Sequence, residues 1–345
     1  MQQTLPTTSA ATYSIRSGPK SVLLSRVTLG SAMPRRWCRG RTRTSLSIAC
    51  SHAVRPNIPQ ESSPLTANST PFAARASGWR KTGSSLHAVP TKPFATLAER
   101  LAAAARALAP DFIYVSQVLF SSGFALADLT GLVATLAAPD RLVVIDGYHG
   151  FLARPTDLSA IADRTFYIAG GYKYAMAGEG ACFMHCPPGI AARPRNTGWF
   201  ASFRTLSTAD HGVPFPADGW RFAGATFDPT TLYRLSAVLE WLAAESIDAA
   251  LLHAHAVALQ TQFMAAMADH TVGPFVPERL VVPLSEPARG NFLTFEHPEA
   301  VQWYQRLHAA RIVTDVRGTR LRLGFGLYHT SSDVERLVSR LRNLA

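Results

Sequence analysis

The chain has 345 residues, 47% of them hydrophobic, which is enough for one large or two moderate domains. Its formal net charge of +11 lies wholly in the first ninety residues: Met1–Pro90 carries 12 Lys and Arg against one acid, Glu61, whereas residues 91–345 carry 22 basic and 22 acidic side chains. The balanced part gives no reason to expect nucleic acid or an acidic membrane as partner. No run approaches the roughly 20 apolar residues of a membrane span. Four cysteines are too few for a disulfide framework, which points to a reducing, cytoplasmic compartment.

Met1–Pro90 is rich in Ser, Thr, Arg and Pro and shows no sustained period of 2 or 3.6. Arg- and Ser-rich sequence poor in acids suits a targeting peptide, and the composition equally suits a disordered basic tail. A third reading, slightly preferred, is that the segment is not the native start of this domain.

Order is expected from Lys92 onward. Pro93–Leu108 has apolar residues at helical spacing among strong helix formers, with Pro93 suited to a first turn. Asp111–Ser116 reads as a strand, Leu126–Leu136 as a helix, and Leu142–Ile145 as an apolar strand ending in Asp146. Thr165–Ala169 and Ala181–His185 are two further strands, close enough in sequence to pair antiparallel. Pro187–Gly219 lacks period and is expected to cross the surface or reach a partner subunit. Pro229–Ser246 and Ser246–Asp269 read as helices, with His253 and His255 as ordinary helix residues. Phe292–Phe295, Ile312–Thr314 and Leu321–Phe325 read as strands, and Pro298–Ala309 and Asp333–Leu344 as helices. Alternating strands and helices predict an α/β fold, a mostly parallel mixed sheet flanked by helices, followed by a smaller α+β domain. The expected division is a basic segment over 1–90, a large domain over 91–252 and a small one over 253–345.

The chemistry is expected around Leu142–Cys186. In an open parallel sheet, ligands sit beyond the carboxyl ends of the strands. Asp146 and Lys173 each occupy that place on a strand. Lys173 stands alone among Tyr172, Tyr174, Ala175 and Met176, flanked by Gly170, Gly171, Gly178 and Gly180. Glycines admit a ligand close to the backbone, and an apolar setting favours the neutral, reactive amine. An amine for a Schiff base and a carboxylate beside a pyridine nitrogen are what pyridoxal phosphate requires. The competing readings are a surface lysine on a hairpin, a turn-capping Asp146, a packed His149 and a Tyr172 laid against the sheet. Cys182 and Cys186 with His185 have poor spacing for a tetrahedral site, so no metal is expected.

Asp146-Gly147-Tyr148-His149, the Tyr172-Lys173-Tyr174 motif, Gly198-Trp199, Phe222-Ala223-Gly224-Ala225-Thr226 and Arg320-Leu321-Arg322-Leu323-Gly324 together resemble the class V aminotransferase group of fold type I pyridoxal-phosphate enzymes, with kynureninase as the nearest member. The resemblance covers about residues 91–345. It implies that Lys173 forms the internal aldimine, that Asp146 pairs with the pyridine nitrogen and that His149 lines the ring. It further implies that Tyr172, Trp199 and Thr226 serve the phosphate, with Trp199 reaching across a homodimer. Ser116 matches a Ser/Thr near the cofactor, and Arg322, with Arg320 as competitor, grips the substrate α-carboxylate, a task suited to a planar bidentate donor.

The sequence departs from the family in two places. Phe222–Thr226 has an extra alanine before the threonine, and the family's first strand–helix unit, with its phosphate-binding turn and ring-stacking aromatic, is not found in residues 1–90. The expected function is action on an amino acid, by transamination or by kynureninase-like hydrolysis of a Cβ–Cγ bond, with a truncated, inactive binding protein as the alternative. Sulfur transfer is disfavoured, because the last cysteine is Cys186 and no mobile thiol follows in the C-terminal half.

Overall fold

The computed structural model describes residues 37–40, 64–67, 87–139, 141–187, 198–205, 219–268 and 272–344. In chain order these form strands β1 (Trp37–Gly40), β2 (Pro64–Ala67) and β3 (His87–Ala88), helix α1 (Leu97–Leu108), strand β4 (Phe112–Ser116), helix α2 (Leu129–Leu136), and strands β5 (Leu142–Asp146), β6 (Thr165–Gly170) and β7 (Cys182–His185). Helices α3 (Thr230–Ala244) and α4 (Ala249–Met267) follow, then β8 (Phe292–Glu296), α5 (Ala300–Ala309), β9 (Asp315–Arg317), β10 (Arg320–Gly324) and α6 (Ser331–Arg342).

Seven strands make one sheet in the order β1-β7-β6-β5-β4-β2-β3. From β3 to β6 every pair is parallel; β7 returns antiparallel to β6, as the short lysine loop between them requires, and β1 adds antiparallel to β7. The sheet is therefore mostly parallel and mixed, as the sequence pattern predicts. Strands β1, β2 and β3 all fall in the stretch that shows no period, because runs of two to four residues are too short to display one.

All residues of β4, β5 and β6 are buried, the signature of strands covered on both faces. Alternate side chains feed separate cores. Ile113, Val115, Val143, Ile145 and Tyr167 pack under α1, α2 and α3, and Tyr114, Val144, Phe166 and Ile168 pack with Tyr148, Met184 and Phe222 on the other face. Helix α1 contributes Leu97, Leu101 and Ala105, one stripe at four-residue spacing. A third core joins the second part of α4 to α5, α6 and the small antiparallel sheet β8-β10-β9. Helix α4 belongs to both: Ala249 and Leu252 enter the first core, and Ala256, Leu259, Phe263 and Met267 the third.

Two predicted boundaries shift, for local reasons. Leu126 does not open α2; its N–H donates to the Gln117 carbonyl at 2.8 Å, and the helix starts after Asp128, whose carboxylate accepts from Gly131 N at 2.7 Å. The strand expected over Ile312–Thr314 lies instead at Asp315–Arg317. Arg311 takes φ 58° and Ile312 N donates to the Leu307 carbonyl at 2.8 Å, so the apolar Ile312 closes the end of α5 and turns into the core. Cys182 and Cys186 are buried free thiols, and among the described residues no group of three His, Cys, Asp or Glu could hold a metal ion. No described helix is long and apolar enough to cross a membrane.

Candidate active site

An open cavity of about 790 Å³ lies between the carboxyl ends of the parallel strands and the small sheet. Of the eight residues singled out in the sequence, Lys173, His149 and Arg322 line it.

Asp146 closes β5 and is 2% exposed. It pairs in register with Ser116 of β4 on one side and Ile168 of β6 on the other. Its carboxylate accepts from the Tyr114 hydroxyl at 2.7 Å and from Tyr148 N at 3.1 Å. The carboxylate thus sits at the end of a parallel strand, buried and hydrogen-bonded. Ser116 is buried beside it.

The turn after Asp146 carries His149, 8% exposed, with ring centroids 5.8 Å from Phe120, 5.5 Å from Phe292 and 6.4 Å from Tyr174. The glycine before it is obligatory: a Cβ at Gly147 would collide with the Tyr167 ring. Tyr148 packs its ring 5.6 Å from Tyr172, which ties the Asp146 turn to the lysine loop. Burial, and then Cys182, push the Tyr148 hydroxyl well above the ordinary tyrosine range, so it stays protonated.

Lys173 follows β6 in a turn closed by Met176 N donating to the Lys173 carbonyl at 3.1 Å. Its Nζ lies 5.0 Å from the Tyr172 ring centroid. Tyr174 next to it is half-buried, and desolvation raises its hydroxyl above the usual tyrosine range.

Arg322 reaches the cavity from the opposite wall, on β10. Its Nη1 donates to the Phe120 carbonyl at 2.6 Å, its Nη2 pairs with Asp315, and its guanidinium lies 4.2 Å from the Phe120 ring and 5.3 Å from Phe292. Its Nε is buried without a hydrogen-bond partner among the described residues. Burial lowers its pKa from the ordinary arginine value. Arg320, the competitor, donates to the Ser121 carbonyl at 3.2 Å and faces Glu296 at the sheet edge, outside the cavity lining.

Trp199 and Thr226 stand apart from this group. Trp199 is 46% exposed, Thr226 is exposed, and neither lines the cavity. Their two segments nevertheless meet. A Cβ at Gly198 would strike the Gly224 carbonyl, and the Phe200 ring packs 6.0 Å from both Trp220 and Phe227. Residues 188–197 and 206–218 of the Pro187–Gly219 stretch lie outside the described residues.

Sequence reasoning missed three participants. Asn291 lines the cavity; His253, read as an ordinary helix residue, hydrogen-bonds it; Asp315 holds the Arg322 fork. They come from separate segments with no shared spacing, so only the fold brings them together.

Residues 252–341 match the family model described as the kynureninase C-terminal domain. Kynureninase of Deinococcus radiodurans is 28% identical over 232 residues, covering 66% of this chain and 55% of that protein; kynureninase of Burkholderia mallei is 27% identical over 236 residues, covering 67% and 55%. The chain thus spans about half the length of these curated relatives. Among solved structures, the cystine C-S lyase C-DES in complex with cysteine persulfide superposes with a TM-score of 0.72 at 17% identity, covering 90% of this chain and 82% of that one. A cysteine desulfurase from Thermococcus onnurineus gives 0.70 at 14% identity, covering 91% and 80%. A further C-DES structure holds glycine covalently linked to its pyridoxal-phosphate cofactor. In sequence, then, the chain is similar to kynureninases over part of their length, and its fold is that of the fold type I pyridoxal-phosphate enzymes.

Proposed function

We propose that this protein is a pyridoxal-phosphate-dependent enzyme acting on an α-amino acid, with Lys173 as the amine that takes the cofactor's aldehyde. One observation carries the reading: Lys173, His149 and Arg322 share a cavity at the carboxyl end of β5, where Asp146 is buried and hydrogen-bonded. The donor set fits the group. A lysine amine, a carboxylate held by Tyr114, and an arginine with a buried Nε lacking a partner are the three charges it and an amino acid need. When bound, pyridoxal phosphate supplies an electron sink for the substrate Cα.

The rest is the work of this chain's own side chains. Asp146 holds a proton at the pyridine nitrogen, kept in place by the Tyr114 hydroxyl and Tyr148 N. His149 lines the ring, walled by Phe120 and Phe292. Arg322 receives the substrate carboxylate through its Nε edge, while Asp315 and the Phe120 carbonyl fix the guanidinium plane. The Lys173 amine moves the Cα proton, in a turn whose apolar neighbours favour the neutral base. Ser116 and Tyr172 flank the group. Trp199 and Thr226, on exposed segments that pack together, serve its phosphate in a second copy, which makes the enzyme a homodimer. The large domain spans 91–252 and the small one 253–345.

Within that class, hydrolysis of a Cβ–Cγ bond in an aromatic amino acid is favoured over transamination by the aromatic cavity wall of Tyr174, Phe292, Phe325 and Tyr328, and by the relatives' being kynureninases. The test is borohydride reduction of the protein incubated with pyridoxal phosphate, followed by peptide mapping. The expected result is a pyridoxyl adduct on Lys173, with release of anthranilate from L-kynurenine. Lys173→Ala should lose both. Turnover by that variant, or an adduct confined to other lysines, would reject the reading; an adduct without turnover of L-kynurenine or L-alanine would leave a cofactor-binding homologue.

A further inference from the structure

A half-buried polar relay ends on the wall of this cavity. It runs from Arg154, in the segment after β5, through His253 of α4 to Asn291, just before β8. Arg154 Nη1 lies 3.3 Å from His253 Nε2 and donates to the Arg289 carbonyl at 2.5 Å. His253 Nδ1 lies 2.8 Å from Asn291 Oδ1. A guanidinium can only donate, so the tautomer with Nε2 as acceptor and the hydrogen on Nδ1 satisfies both of these contacts, with the Ala153 carbonyl as a further acceptor beside the ring. That hydrogen in turn selects the amide oxygen of Asn291 as its partner, which turns the amide nitrogen the other way.

The backbone of Asn291 is equally fixed. Its carbonyl accepts from Phe325 N at 2.9 Å, and the preceding Gly290 N donates to the Gly123 carbonyl at 2.7 Å. The side chain is 3% exposed, yet it lines the cavity beside Phe292, whose ring touches both His149 and Arg322. Among the described residues no acceptor takes its amide nitrogen. This donor faces the cavity, where water completes it until a ligand oxygen replaces that water.

We propose that Asn291 is a specificity-determining residue whose amide N–H donates to an oxygen on the substrate's side chain, and that His253 is the positioning residue that aims it. The site therefore selects amino acids carrying a carbonyl oxygen beyond Cβ over analogues with a methylene there. Asn291 supplies no proton and forms no bond. This inference rests on the reading of the cavity as a cofactor and amino-acid site.

The experiment measures, by rapid mixing before turnover, dissociation constants of the cofactor-loaded protein for L-kynurenine and for its analogue with CH2 in place of the side-chain carbonyl. Wild type should prefer the carbonyl compound by about 10–100-fold, the range of one hydrogen bond to a buried site. Asn291→Asp keeps the shape and the acceptor for His253 but removes the donor, and should bring the ratio to about one. His253→Leu should lower the ratio, and His253→Gln, which keeps a donor toward Asn291 Oδ1, should restore most of it. Should Asn291→Asp misfold, Asn291→Ala, which also removes the donor, gives the same comparison. An adduct on Lys173 with an unchanged ratio in Asn291→Asp overturns this inference alone. Absence of the Lys173 adduct in wild type overturns the cofactor reading, and this one with it.

Discussion

The Tyr114 hydroxyl donates to Asp146 Oδ2 at 2.7 Å across the β4–β5 pair, so the acid at the site is held by a residue two positions before the end of the neighbouring strand. Both groups are buried, at 0% and 2% exposure. Hydrogen bonds to a charged group contribute more than neutral ones, so Tyr114→Phe should cost about 1.5–3 kcal/mol in stability. Urea unfolding of the apoprotein reads this directly. The same variant should weaken retention of pyridoxal phosphate on dialysis, because the carboxylate loses a fixed donor.

Gly147→Ala tests how tightly the turn between Asp146 and His149 is built. The added methyl meets the Tyr167 ring, whose hydroxyl donates to Gln117 Oε1 at 3.1 Å. Overpacking of this kind costs about 1–3 kcal/mol. A lower melting temperature with loss of the cofactor's absorbance band is the expected pair of results; an unchanged melt would show that the strand ends yield.

Arg322→Lys retains the charge and removes the fork. The stacking on Phe120 and the Nε–H both disappear, and a compact ammonium cannot span a carboxylate. The Michaelis constant for an amino-acid substrate should rise about 10–100-fold, equivalent to roughly 1.5–3 kcal/mol, with a smaller change in turnover number. A decarboxylated amine substrate analogue should bind both proteins alike.

Acid should weaken the junction between the two lobes. Desolvation, and then Arg154 and Arg289, hold the His253 pKa below the ordinary 6.5, with Asn291 opposing; burial likewise lowers that of His329. Each folded-state value lies beneath the unfolded one, so the unfolded chain binds more protons below about pH 6.5 and stability falls as the pH drops through that range. Stability is fully present above it. Melting temperatures between pH 8 and pH 5 should decline, and His253→Gln should flatten part of the slope.

Much of this was legible in the sequence because the relevant patterns are local. The apolar run Leu142–Ile145 with Asp146 at its end needs only five residues to declare a buried parallel strand with an acid at its carboxyl end. The lone Lys173 among glycines is likewise a local signal. Tyr114 could not be read this way: inside Phe112–Ser116 it is indistinguishable from any aromatic of a buried strand, and its partner lies 32 residues away. Asn291, His253 and Arg154 are separated by 38 and 99 positions, and a polar contact at such range leaves no period. The Ile312–Thr314 strand was misplaced because β-branched residues also serve helix ends, where a single buried isoleucine completes the last turn.

Helix α4, threaded through two hydrophobic interiors, acts as a common axle. Its 19 residues extend roughly 28 Å at 1.5 Å per residue, and no break in it separates Leu252 from Ala256. Neither lobe can melt while the other keeps its grip, because each borrows one end of the same rod. Calorimetry should accordingly record one endotherm for both, and Ala254→Pro, snapping the rod between its two core-facing stretches, should resolve it into two.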